Sequence, residues 1–201
     1  MKLITIIGAR PQFIKAAIVS KLLQDTTVKE VIIHSGQHYD KSMSDIFFSE
    51  MGIIDPRYKL NINQLNHGSM TGRMIEHIEN ILLDERPDYI MVYGDTNTTL
   101  AGALSARKLN IGVIHVEAGL RSFNMDMSEE INRILTDRMS DILFCPTINA
   151  MRNLKREGYE NYNTRIIMCG DVMEDAALLF SDISEKYSNI IHVELNSLII
   201  R

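Results

Sequence analysis

The chain has 201 residues, 45% of them apolar, and a formal net charge of −5 at neutral pH. Such a chain can bury a good core, and its mixed, slightly acidic charge excludes the dense basic face that nucleic acid requires. It holds no run of eighteen apolar residues, and Arg10 and Pro11 interrupt the first apolar stretch, so the reading is of a cytoplasmic chain with neither membrane span nor signal peptide.

From the amino end, Leu3 to Ile7 reads as a strand, Pro11 to Gln24 as a helix with proline at its first position, and Glu30 to His34 as a second strand. Helical spacing of apolar residues follows over Ser42 to Met51 and Ser69 to Glu85. Strands at Tyr89 to Tyr93, Gly112 to Val116, Ile142 to Cys145 and Arg165 to Met168 then alternate with helices at Asn97 to Lys108, Ser128 to Met139, Ile148 to Arg156 and Val172 to Phe180. This alternation predicts right-handed βαβ units and an α/β fold with a doubly wound, mostly parallel sheet. Residues 1–180 form one domain on this reading, and 181–201 a tail without a helical period. Cys145 and Cys169 lack partners at metal or redox spacing and are expected to be buried packing residues.

In such sheets ligands bind beyond the carboxyl ends of the strands. The loops there read Gly8-Ala9-Arg10-Pro11, Ser35-Gly36-Gln37-His38, Gly94-Asp95-Thr96-Asn97 and Glu117-Ala118-Gly119-Leu120-Arg121. The first places Arg10, and Lys15 one turn on, at a helix start whose amides favour an anion. It lacks the spaced glycines of a dinucleotide site, which argues against NAD and leaves a plain turn with two solvated charges as the simpler alternative. Asp95 is either a helix N-cap or a carboxylate oriented for chemistry. Glu117, at a strand end, is expected to face the crevice, where partial burial would raise its pKa; a salt bridge to Arg121 is the alternative. Glu129 and Glu130 open a helix, where Asp126 with Glu129 fits a capping box and Glu129 with Arg133 an ion pair. His38 is a ligand-contact candidate, His77 and His192 read as ordinary surface or packing residues, and the spacing of His34 and His38 across Gly36 disfavours a zinc site, so no metal is expected.

Together, Gly8-Ala9-Arg10-Pro11-Gln12-Phe13-Ile14-Lys15, Gly94-Asp95-Thr96-Asn97-Thr98-Thr99, His115-Val116-Glu117-Ala118-Gly119-Leu120-Arg121 and Glu129-Glu130-Ile131-Asn132-Arg133 resemble the non-hydrolysing UDP-N-acetylglucosamine 2-epimerase family. The likeness implies the amino-terminal, Rossmann-like half of a glycosyltransferase-B type enzyme that inverts C2 of a UDP-sugar without a cofactor. On that likeness Asp95, Glu117 and Glu129 are the acid and base candidates. Arg10, Lys15, His38, Glu130 and Arg133 would serve substrate binding, with Arg10 and Lys15 toward the departing diphosphate.

Ser128 stands where the family often has proline, and Cys169-Gly170-Asp171-Val172 where it usually has Gly-Asn. The wording of Pro11 to Lys15 and Arg121 to Asn124 resembles the branch acting on UDP-2,3-diacetamido-2,3-dideoxyglucuronate, which supplies surface polysaccharide. The family continues into a second, UDP-binding domain, so the resemblance implies a truncated half with an aberrant end near Ile191. A sugar-transferase half-domain and a non-catalytic binding or pairing domain are the competing readings, and a homodimer is expected.

Overall fold

Strands whose two faces are both apolar are covered only when helices lie on both sides of the sheet. The computed structural model, which describes residues 1–37 and 54–187, builds that arrangement. Its strands are β1 (Lys2–Ile7), β2 (Lys29–His34), β3 (Tyr58–Lys59), β4 (Tyr89–Tyr93), β5 (Gly112–Val116), β6 (Ile142–Cys145) and β7 (Arg165–Met168). They pair in parallel throughout, in the order β3-β2-β1-β4-β5-β6-β7. The helices are α1 (Arg10–Gln24), α2 (His67–Glu85), α3 (Asn97–Lys108), α4 (Ser128–Met139), α5 (Ile148–Arg156) and α6 (Val172–Tyr187). A short 3-10 turn, Tyr159–Asn161, joins α5 to β7.

Alternate residues of each strand feed opposite cores. Ile4, Ile6, Ile90 and Val92 pack against Met70, Met74, Ile78 and Leu82 of α2 and the alanines of α3. Leu3, Ile7, Met91 and Tyr93 pack against Phe13, Ala16 and Ala17 of α1 and Val172 of α6 on the other side. The strand order runs outward in both directions from the β1/β4 pair, which makes the gap above their carboxyl ends the topological switch point where doubly wound sheets bind ligands.

The expected doubly wound sheet is present, with differences of detail that have physical causes. The two-residue edge strand β3 went unpredicted because Tyr58–Lys59 carries no apolar run. Helix α1 starts at Arg10, so Pro11 is its second residue, and α6 runs past Phe180 to Tyr187. The expected helix Ser42 to Met51, His38, His192 and the tail after Tyr187 lie outside the described residues. Of the two thiols, Cys145 is buried as expected whereas Cys169 is exposed, because it follows the edge strand β7.

Helix α4 reverses the usual amphipathic arrangement. Glu130, Asn132, Thr136 and Asp137 are buried, whereas Ile131 and Leu135, one turn apart, are exposed, with Met127 continuing the stripe one turn earlier. The polar side points to the crevice loops.

Candidate active site

At the switch point the loops after β1 and β4 are locked together by the buried amide of Gln12. Its oxygen accepts from the Gly8 and Ala9 N–H groups at 2.8 and 3.0 Å. Its nitrogen donates to the Tyr93 carbonyl at 2.7 Å and to the Thr96 and Thr99 hydroxyls at 3.0 Å each. One side chain therefore serves both helix starts, and it fixes α1 relative to α3. Gly8 has to be glycine here, because a Cβ would fall 1.9 Å from the Ser35 Oγ and 2.4 Å from the Thr98 Oγ1.

Lys15, one turn into α1, reaches across the gap and forms an ion pair with Glu117, with side chains only 10% and 17% exposed. Glu117 follows β5 with φ of 71°, left-handed backbone that a residue with a Cβ seldom adopts. The next two residues hold it there. The Ala118 N–H donates to the Phe144 carbonyl at 3.0 Å and the Gly119 N–H to the Asp137 Oδ2 at 3.1 Å. A Cβ on Gly94 would stand 3.3 Å from the Glu117 carboxylate and 3.9 Å from the Lys15 amine, so the bare Gly94 backbone is the floor beneath the pair. Arg121, the other partner considered for Glu117, points elsewhere. It donates to the Asp137 Oδ2 at 2.7 Å and grips Glu157 with two bonds of 2.7 and 2.8 Å.

Asp95 is not the N-cap of α3; Thr96 is, accepting from the Thr99 N–H at 3.3 Å. The Asp95 carboxylate is left to Arg133 of α4, whose guanidinium donates to its Oδ2 at 2.7 and 2.9 Å. Arg133 also binds Glu130. Glu130 is buried, and its two oxygens accept from the Ser122 and Phe123 N–H groups at 3.0 and 2.9 Å. It anchors the loop that enters α4, and it shares Arg133 with Asp95.

Glu129 is exposed at the start of α4. Its own backbone N–H and the Ser128 hydroxyl lower its pKa, with burial opposing and the charges of Arg133 and His67 assisting. Neither the Asp126 capping box nor a Glu129 pair with Arg133 forms; α4 is preceded by Met127, which offers no side-chain cap, and Arg133 prefers Glu130 and Asp95. Arg10 is exposed as the first residue of α1.

Two contributors escaped the sequence reading. Gln12 lay inside a quoted motif without a role, although a polar side chain on the core-facing side of α1 was a usable signal. His67 opens α2 and lies 3.1 Å from the Asn97 Nδ2, and Asn97 in turn adjoins Asn132, which donates to the Asp95 carbonyl at 2.8 Å. Nothing in the spacing of His67 hinted at this neighbourhood.

The site thus holds an ammonium–carboxylate pair, an Arg-held carboxylate and an ionised glutamate around one crevice, a set suited to moving protons next to an anionic ligand. No group of three or more His, Cys, Asp or Glu among the described residues is arranged to hold a metal.

The environment of Glu130 makes a pH-dependent prediction. Burial works against its charge, but the Ser122 and Phe123 amides and the Arg133 guanidinium outweigh it and hold its pKa below the ordinary 4.5. A carboxyl depressed by folding stabilises the native state above the unfolded pKa, and this contribution is lost as pH falls through the folded value. Glu130→Gln is expected to cost about 1.5–3 kcal/mol at neutral pH, with the gap from the parent shrinking in acid below about pH 4. Urea unfolding at both pH values checks this, and an equal loss in acid would remove the charge from the explanation.

The sequence profile described as UDP-N-acetylglucosamine 2-epimerase matches residues 20–200. A UDP-2,3-diacetamido-2,3-dideoxy-D-glucuronate 2-epimerase of Pseudomonas aeruginosa is 59% identical over 182 residues, which is 90% of this chain and 51% of that protein. The crystal structure of Methanocaldococcus jannaschii UDP-GlcNAc 2-epimerase in complex with UDP-GlcNAc and UDP superposes with a TM-score of 0.91 at 48% identity, covering 98% of this chain and 54% of the other. That of the Neisseria meningitidis UDP-GlcNAc 2-epimerase bound to UDP-GlcNAc gives 0.87 at 33% identity, covering 96% and 52%. The chain spans about half the length of these relatives.

Proposed function

Because the chain belongs to the UDP-N-acetylglucosamine 2-epimerase family, we propose that it carries the acid–base half of a site that inverts C2 of a UDP-2-acetamido sugar. The observation that supports this most directly is the meeting of the Lys15–Glu117 pair with the Asp95–Arg133 pair around Gly94 at the switch point. Inversion at carbon needs a base to take the C2 proton and an acid to return one on the opposite face. In the proposed sequence a carboxylate of the Asp95, Glu117 and Glu129 set removes that proton and the C1–O bond breaks, so UDP departs and a glycal is left. UDP then re-adds at C1 while C2 is protonated from the other side. The departing diphosphate gains negative charge as the bond breaks, and Lys15, with Arg10 at the first turn of α1, is the cation set proposed to meet it. Glu130 and Arg133 act in this scheme by holding Asp95, and Arg133 is also proposed to bind the substrate; His38, a further proposed substrate-binding residue, lies outside the described residues. The diacetamido uronate is the favoured substrate, on the 59% identity to the Pseudomonas aeruginosa epimerase named for it.

Proton NMR in heavy water, with the chain and UDP-N-acetylglucosamine or the diacetamido uronate, tests the reaction. Loss of the C2 proton signal with appearance of the second epimer is expected, and the sugar that responds identifies the substrate. A folded chain that leaves both sugars' C2 protons untouched would end the claim of turnover for this chain.

A homodimer belongs to the same proposal. Met127, Ile131 and Leu135 make an exposed stripe on α4, extended by Phe123 and Met125 of the preceding loop, and contiguous apolar surface of this kind marks association sites. Leu135, 45% exposed, sits in the stripe. Sedimentation is expected to give a dimer for the parent and a monomer for Leu135→Glu with unchanged thermal stability, and a monomeric parent would sink the idea. The cytoplasm is the proposed compartment, supported by two cysteines that are both free thiols. No helix among the described residues is long and apolar enough to cross a membrane.

A further inference from the structure

We infer that His115 is held as a doubly protonated imidazolium and is the positioning residue that ties the three candidate acid–base segments together. The ring is wholly buried on β5. Its Nδ1 lies 2.7 Å from the Asp137 Oδ1 and its Nε2 lies 2.7 Å from the Gly94 carbonyl oxygen. A carbonyl only accepts, so Nε2 carries a proton. The Asp137 carboxylate already receives the Arg121 guanidinium at 2.7 Å and the Gly119 N–H at 3.1 Å on its other oxygen. A carboxyl group that takes a guanidinium and an amide N–H on one oxygen is stabilised as the carboxylate, so its other oxygen, Oδ1, accepts from the ring and Nδ1 carries the second proton.

Charge balance points the same way. Arg121 and Asp137 have side chains 1% and 0% exposed, and Glu157, at 30%, closes the row. Two cations, His115 and Arg121, then face two carboxylates, Asp137 and Glu157, and the buried row is neutral as low-dielectric surroundings require. Arg121 is correspondingly held strongly protonated, burial opposing its charge and the Glu157 and Asp137 carboxylates outweighing it. The neighbouring Cys145 thiol is pushed up to about 12 by burial and by Asp137, so it adds no charge. Across Gly94 the nearest charged groups are the Lys15–Glu117 pair, and next along the loop is Asp95 with Arg133.

The ring spans three elements. It sits one residue before the strand end that leads to Glu117. Through the Gly94 carbonyl it holds the loop that carries Asp95, and through Asp137 it holds α4, whose first turn carries Glu129 and Glu130. Gly94 is gripped from both ends, since its N–H donates to the Val116 carbonyl at 3.0 Å. His115 is wholly buried and acts on the crevice from behind, through the Gly94 backbone and Asp137. The protonation state stands on this geometry alone; its consequence for proton transfer rests on the function proposed above.

Long-range proton–nitrogen NMR of the whole 201-residue chain at pH 7 reads the ring directly, with assignment from contacts to Gly94 and Asp137. Two protonated ring nitrogens are expected, and one bare nitrogen on His115 would overturn the assignment. His115→Gln is then expected to displace the amide resonances of Asp95 and Glu117 while those of α5 stay in place. A folded variant with Asp95 and Glu117 unmoved would overturn the positioning role. Where that variant does not fold, Asp137→Asn supplies the same reading with the imidazole retained, and a ring that keeps both protons there would count equally against it. Neither readout uses turnover, so a chain that fails to exchange the C2 proton leaves this inference standing.

Discussion

Arg121→Met is expected to cost on the order of 3–5 kcal/mol of folding stability, the largest loss from any single change at the crevice. The guanidinium is the common partner of Asp137 and Glu157, donating at 2.7 Å to the first and through two bonds of 2.7 and 2.8 Å to the second. Methionine fills a similar volume, so little of the loss would come from a cavity. The cost comes from Asp137, whose wholly buried carboxylate would face His115 and Gly119 with one cation fewer. Glu157, 30% exposed, can turn to water and is expected to contribute little. Urea unfolding measures the loss as a lower midpoint at unchanged slope. A drop under about 1 kcal/mol would mean that the row is not held by charge pairing, since that is the level of exposed pairs. A double-mutant cycle with Asp137→Asn separates the pair from the rest of the row.

Glu117→Gln is expected to slow solvent exchange at C2 of the sugar by about 10²–10⁴-fold, the usual worth of a positioned general acid or base. The change keeps the shape of the side chain and removes its charge and its basicity. It also frees Lys15 from its part-buried ion pair, so binding of UDP alone should hold or strengthen while exchange falls. That opposite movement separates a chemical role from general damage. Glu76→Gln, on the exposed face of α2, serves as the control and should leave the rate unchanged. Equal losses of UDP binding and of exchange for Glu117→Gln would instead make Glu117 a structural partner of Lys15 and shift the proton transfer to Asp95 or Glu129.

The comparison of sequence and structure turns on which features are local. Strand and helix positions were legible because apolar periodicity reports burial within a segment, and β1, β4, β5, β6 and β7 lie where their β-branched runs predict. The crevice loops were legible for the same reason, since alternating elements imply a parallel sheet and a parallel sheet implies a binding edge. Who pairs with whom was not. A cap was one of two readings open for Asp95, and Thr96 took that place because its hydroxyl, one residue later, accepts the Thr99 N–H and leaves Asp95 to Arg133. Glu117 had Arg121 four residues away, yet its partner is Lys15, 102 positions distant. On α4 the structure turns Ile131 and Leu135 outward so that Glu130, Asn132 and Asp137 can meet the loops, an orientation that the helical spacing left open.

The sequence by itself therefore determined the fold class, the order of elements, the family and the list of charged residues near the crevice, all of which depend on residue type and short-range spacing. Tertiary structure alone decided the ion pairs, the buried row from His115 to Glu157 and the amide clamp of Gln12. The physical reason is that a buried charge or amide must find a partner wherever the fold brings one within about 3 Å. In a doubly wound sheet the partners that join one loop to another come from different βα units, so for pairs such as Lys15 with Glu117, or Gln12 with Tyr93, no short window of sequence contains both.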